Sequence, residues 1–106
     1  MSMTLDEFLV SVEQDDAPPQ DLTSEQKSIW LAGADRWEEA HDIAQDIHTS
    51  FGSWMHAHLH LVEGDLGNAS YWYSKAGRPS RKPAEIEAEW RELAEAAFAE
   101  ASGRAQ

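Results

Sequence analysis

All five histidines of this 106-residue chain fall between positions 41 and 60. Imidazole is the side chain best suited to hold a transition metal or to move protons near neutral pH, so this stretch is where chemistry is sought first. On a helical reading His56 and His60 are i, i+4 neighbours with Glu63 one step further round, and one face then offers two nitrogens and an oxygen. His41 and His48 fall at i, i+7 on the preceding helix. If the short connection makes the two helices antiparallel, His41, His48, His56, His60 and Glu63 converge on one divalent metal, zinc among the candidates. Three ligands with an open position suit metal-dependent hydrolysis.

The same residues admit a plainer reading. His58 sits at the centre of an apolar arc and is expected to be a hydrogen-bonded core histidine. His56 and His60 fall on the polar edge, where imidazoles are simply solvated. The H-E-x-x-H arrangement is missing, because Ala57, His58 and Leu59 fill the gap between His56 and His60. Glu38-x-x-His41 occurs once, whereas a dinuclear carboxylate site needs the motif twice.

The elements that must position these residues are helical. Thr4 with Glu7 and Thr23 with Gln26 form capping boxes, each followed by an apolar stripe: Leu5, Phe8, Leu9 and Val12, then Leu22, Ile29, Trp30 and Ala34. A third helix is expected from about Asp35, as its N-cap, through Trp37, Ala40, Ile43, Ala44 and Ile47 to Phe51, with Gly52-Ser53 interrupting. A fourth runs from about Ser53 to Glu63. Its apolar residues Trp54, Met55, Ala57, Leu59, Leu61 and Val62 cover more than half the circumference, as in a helix sandwiched between neighbours. Gly64 stops it, and Asp65 caps a fifth that directs Leu66, Ala69, Trp72, Tyr73 and Ala76 inward. After a loop with two prolines, Pro83 opens the last helix, striped by Ile86, Trp90, Leu93, Ala97 and Phe98 and ended by Ser102-Gly103. The glutamates between 85 and 100 read as a solvated face. Trp30, Trp37, Trp54, Trp72, Tyr73 and Trp90 lie at core spacing.

Composition bounds the function. The chain lacks cysteine, which excludes disulfides, thiolate metal sites and cysteine nucleophiles. Twenty acidic residues against eight basic give a net charge of −12, which repels nucleic acid. No signal peptide and no membrane span are read, so a cytoplasmic location is expected. Half of the positive charge clusters at Lys75, Arg78, Arg81 and Lys82. That cluster is either a patch for an acidic partner or a solvated loop at a helix C-terminus. Ser53 lacks a nucleophile elbow, and no glycine-rich phosphate loop exists.

Asp35–Ala40 can be laid on Gly64–Ala69 with an offset of 29: in both, a large apolar residue follows a turn and an alanine comes three positions later. GDLGNASYWYSKAG, residues 64–77, resembles the second half of a tetratricopeptide or Sel1-like repeat, and 33–47 resembles it more weakly. Residues 37–77 also resemble a group of small uncharacterised bacterial helical proteins, which implies a compact helical domain without an assigned activity. The resemblance implies an all-α fold of five or six helices, stacked as antiparallel hairpins with a C-terminal covering helix. The expected organisation is an arm and acidic linker at 1–20 and a hairpin domain at 21–106. By analogy with such folds, the leading expectation is a non-catalytic module without a cofactor, binding a protein or peptide partner. Its binding residues would be Tyr71, which faces away from Trp72 and Tyr73, with Lys75, Arg78 and Arg81. The alternative is the metal protein or metal-dependent hydrolase built on the histidines.

Overall fold

In a computed structural model, which describes residues 3–104, six α-helices follow one another: α1 (Leu5–Gln14), α2 (Ser24–Gly33), α3 (Trp37–Ala44), α4 (Ser50–Glu63), α5 (Leu66–Ala76) and α6 (Ile86–Arg104). No strand forms among the described residues. A short 3₁₀ turn, Pro83–Glu85, leads into α6, so Pro83 opens that turn rather than the α-helix itself. The helix also continues through Ser102-Gly103. None of the described helices is long and apolar enough to cross a membrane.

Local chemistry sets most of the boundaries. Both capping boxes are formed: Thr4 Oγ1 accepts from the Glu7 N–H at 3.1 Å and Thr23 Oγ1 from the Gln26 N–H at 3.1 Å. In return Glu7 and Gln26 accept from the cap N–H groups, which satisfies donors that a helix start otherwise leaves bare. Gly64 ends α4 and Gly77 ends α5 with φ of 86° and 71°, the left-handed conformation that favours glycine. Asp65 caps α5 through the Asn68 N–H.

The α3–α4 junction departs from expectation. Helix α3 stops at Ala44, residues 45–49 form a loop, and α4 starts at Ser50 with Thr49 as its cap. Gly52 is therefore a first-turn residue and not a helix breaker. Its value is closeness, because a Cβ there would run into the Ile47 carbonyl oxygen of the returning loop. Asp35 does not cap α3: it takes φ of 61°, and Arg36 occupies the cap position without a side-chain capping bond, its guanidinium bonding Glu39 instead.

Helices α2 and α3 pair closely, as do α4 and α5, while α6 packs on α1, α2 and α4. Helix α1 docks: Phe8 has no exposure, lies 5.1 Å from the Phe98 ring, and Ser11 Oγ accepts from Trp30 Nε1 at 3.0 Å. Helix α4 is the central element. Every residue from Trp54 to Leu61 is buried, and each fully buried Leu or Met contributes about 1.5–3 kcal/mol. Two apolar residues expected inside are not: Val62 is 44% exposed and Leu66 52%. Both sit where their helix meets the Gly64-Asp65 turn.

Candidate metal centre

A helix buried all round must bury its polar residues too, and α4 carries three histidines into the interior. His56, His58 and His60 are 6%, 2% and 8% exposed. His56 and His60 are thus not the solvated edge residues expected; α3 and α5 cover them. Alternation along the helix sends His56 and His60 to one side and His58 to the other.

On the first side His41 of α3 meets His56 and His60. One ligand nitrogen from each of the three lies within 4.8 Å of the others. His41 Nε2 and His56 Nε2 are 2.9 Å apart, a hydrogen bond in which one ring donates and the other accepts. His60 Nδ1 donates to Glu63 Oε1 at 2.6 Å, which leaves Nε2 as its ligand nitrogen. This is the carboxylate-to-imidazole support that orients metal-binding histidines. The sequence placed Glu63 among the direct ligands; in the structure it hydrogen-bonds His60 and lies outside the group of three histidines. Glu63 and His60 also lie near Asp65, but both Asp65 oxygens are engaged by Asn68.

Indoles hold the rings in place. Trp37 stacks on His41 with centroids 4.8 Å apart and donates from Nε1 to the Leu59 carbonyl at 2.6 Å. Trp72 stacks on His56 at 4.0 Å, and the Lys75 ammonium lies 4.9 Å from the Trp72 ring. Burial, followed by the charges of His41 and His60, lowers the His56 pKa to about 4. Burial, then His60, lowers that of His41 as well. Both are neutral at pH 7, the state in which imidazole binds metal.

Two nitrogens on a tetrahedral zinc at about 2.0–2.1 Å lie roughly 3.3–3.4 Å apart. The His41–His56 contact of 2.9 Å must therefore open slightly to reach that spacing.

His48 is not part of this cluster. It lies exposed on the α3–α4 loop, because α3 ends before the turn that would have carried it inward. It does line a hollow of about 340 Å³ together with His56, Trp72 and Lys75; of the three clustered histidines only His56 borders it.

The opposite side of α4 holds a site the sequence reading missed. Glu89 of α6 has no exposure, and its carboxylate accepts from His58 Nδ1 at 2.7 Å, Tyr73 Oη at 2.6 Å and Trp54 Nε1 at 3.0 Å. Burial pushes the Glu89 pKa up, but the three donors outweigh it and hold the carboxyl below its ordinary value. Burial and the bond to Glu89 push the Tyr73 phenol up. Glu89 is therefore no solvated glutamate. A signal existed: it lies three residues after Ile86 and four before Leu93, within the apolar stripe of α6. His58 is the hydrogen-bonded core histidine expected.

Of the residues suggested for a partner, Tyr71 is 56% exposed, and Lys75 lies 5.8 Å from its ring. The Arg78 guanidinium sits 3.5 Å from the Trp54 ring centroid. Arg81 binds Glu92 through two bonds of 3.0 Å and Glu85 through one of 3.1 Å, so its charge is engaged within the chain. No protein-family profile, curated protein or solved structure matches the chain.

Proposed function

We propose that this chain binds a divalent transition metal through His41, His56 and His60, with Glu63 orienting His60. The observation that carries the reading is the convergence of three imidazoles from two helices, with ligand nitrogens within 4.8 Å and two of the rings buried. Neutral nitrogen donors suit zinc, copper, nickel or iron rather than magnesium or calcium. Three protein ligands would leave a fourth position for water or a small substrate, and the hollow beside His56 supports access from that side. A metal-bound water there would be the starting point of hydrolysis.

Metal content of protein purified without a histidine tag tests the proposal. About one equivalent of metal is expected, with a melting temperature that falls on chelation and recovers when zinc is restored. His56→Ala and His60→Ala should abolish binding, and Glu63→Gln should weaken it about 10–100-fold. Absence of binding to zinc, copper, nickel and iron would overturn it.

A second reading draws on α5, where Leu66 and Tyr71 remain more than half exposed. In it the pairs α2–α3 and α4–α5 are a degenerate tetratricopeptide or Sel1-like repeat, and the outer face of α5 contacts a protein or peptide. It has fewer supporting contacts than the histidine cluster and takes second place.

A further inference from the structure

A divalent metal on the histidine cluster would leave its charge unanswered. An imidazole that coordinates through its lone pair is neutral, so an ion held by His41, His56 and His60 keeps its full positive charge. His56 and His60 are 6% and 8% exposed, and an uncompensated charge beside buried groups is costly. Two carboxylates act on His41 through their charge, Asp42 and Glu63. Both belong to exposed residues, and neither is in the group of three histidines. Water screens carboxylates so placed. The fourth position is therefore best filled by a ligand that brings negative charge of its own.

The hollow beside His56 suits such a ligand. No aspartate or glutamate borders it, although the chain has 20 acidic residues. Asp46 falls between two residues of the wall, Gln45 and Ile47, yet is not part of it. The lysine of the wall is Lys75, which is exposed. Its ammonium lies 4.9 Å from the Trp72 ring centroid, which is itself 4.0 Å from that of His56. Among the described residues Lys75 forms no ion pair, whereas Arg81 is engaged by Glu85 and Glu92. Thr49, Ser50 and Ser53 add hydroxyl groups to the wall. The volume of about 340 Å³ lies at the lower end of the roughly 300–1,000 Å³ typical of small-molecule sites.

We propose that the metal of the cluster takes a small oxyanion, a carboxylate or phosphate group, as its fourth ligand, with Lys75 holding the anion in the hollow; this rests on metal binding by His41, His56 and His60.

The test is calorimetric titration of the full chain, without a histidine tag, loaded with zinc (or with copper, nickel or iron if zinc does not bind). The probes are acetate, methylphosphonate and acetamide, the last an uncharged match for acetate. Saturable binding of at least one anion is expected, about ten-fold tighter than acetamide, because the metal is the largest local charge. Whichever anion binds more tightly assigns the oxyanion as carboxylate or phosphate. Lys75→Gln, at an exposed position, should leave metal affinity unchanged and weaken that anion about three-fold or more. Gln45→Glu, also at an exposed position, sets a carboxylate in the wall and should weaken it likewise. Acetamide binding as tightly as the anions, no saturable binding of either anion, or an unchanged anion affinity in either variant would overturn the proposal and leave the metal site standing. A chain that binds none of zinc, copper, nickel and iron would overturn the metal site and this inference with it.

Discussion

Two sides of one helix treat histidine in opposite ways. On the side facing α3 and α5, His41 and His56 bond among the described residues only to each other, and the carboxylate of the set, Glu63, stands behind His60 at the edge. On the side facing α6, His58 meets a carboxylate that three donors saturate. A buried charge is tolerated only when its bonds are complete, and Glu89 meets that condition. His41 and His56, held neutral by burial, carry no such debt, and on the metal-binding proposal their mutual bond is what a metal would replace. The difference between the two sides is between a finished network and an open one.

The largest effect should come from breaking the finished side. Glu89→Ala strands the donors of His58, Tyr73 and Trp54 in the core. Removing one partner of a buried, hydrogen-bonded charge costs about 3–5 kcal/mol, so the variant should lose most of its stability in urea unfolding. A loss below about 1 kcal/mol would mean that water reaches the site and Glu89 is not the keystone of that side.

Acid separates the two sides next. The folded pKa of His56 is lowered from 6.5 to about 4, so between those values the unfolded chain binds more protons than the folded one. Stability of the metal-free protein should therefore fall as pH drops from about 6.5 toward 4 and be flat above that window. The Glu89 contribution, from a pKa lowered below 4.5, is fully present above 4.5 and is lost only as pH falls through the lower folded value. Urea midpoints across pH should show both stages, and His56→Gln should flatten the upper one, leaving His41 the remainder. Stability independent of pH between 6.5 and 4.5 would contradict the burial of the cluster.

The smallest effect should come from His48. His48→Ala should change stability by less than about 0.5 kcal/mol, the usual range for exposed positions, and leave zinc affinity intact. A ten-fold loss of zinc affinity would instead bring the loop into the site.

Much of this arrangement was legible in the residues. The capping pairs at Thr4 and Thr23, the Gly64-Asp65 turn and the sandwiched character of α4 all follow from local rules. The convergence of His41 with His56 and His60 followed from spacing and a short connection. What misled was Gly52, read as a breaker because a glycine that permits close approach looks the same in sequence as one that ends a helix. That shifted the end of α3 and carried His48 into the cluster. Placing His56 and His60 on a solvated edge conflicted with reading α4 as enclosed, and enclosure won. Glu89 was hidden by its charge, since only the three donors from α4 and α5, invisible from α6 alone, make its burial tolerable.

The two indoles that bracket the histidine cluster give the chain an optical property of its own. Trp37 and Trp72 lie face to face with His41 and His56, whereas Trp30 and Trp90 donate to Ser11 and to the Ile29 carbonyl. A stacked imidazole quenches indole emission most strongly when it carries a positive charge, and a paramagnetic ion on its nitrogen quenches through the same contact. The protonation of His41 and His56, and on the metal-binding proposal the occupancy of the cluster, should therefore be readable in the intrinsic fluorescence without an attached label.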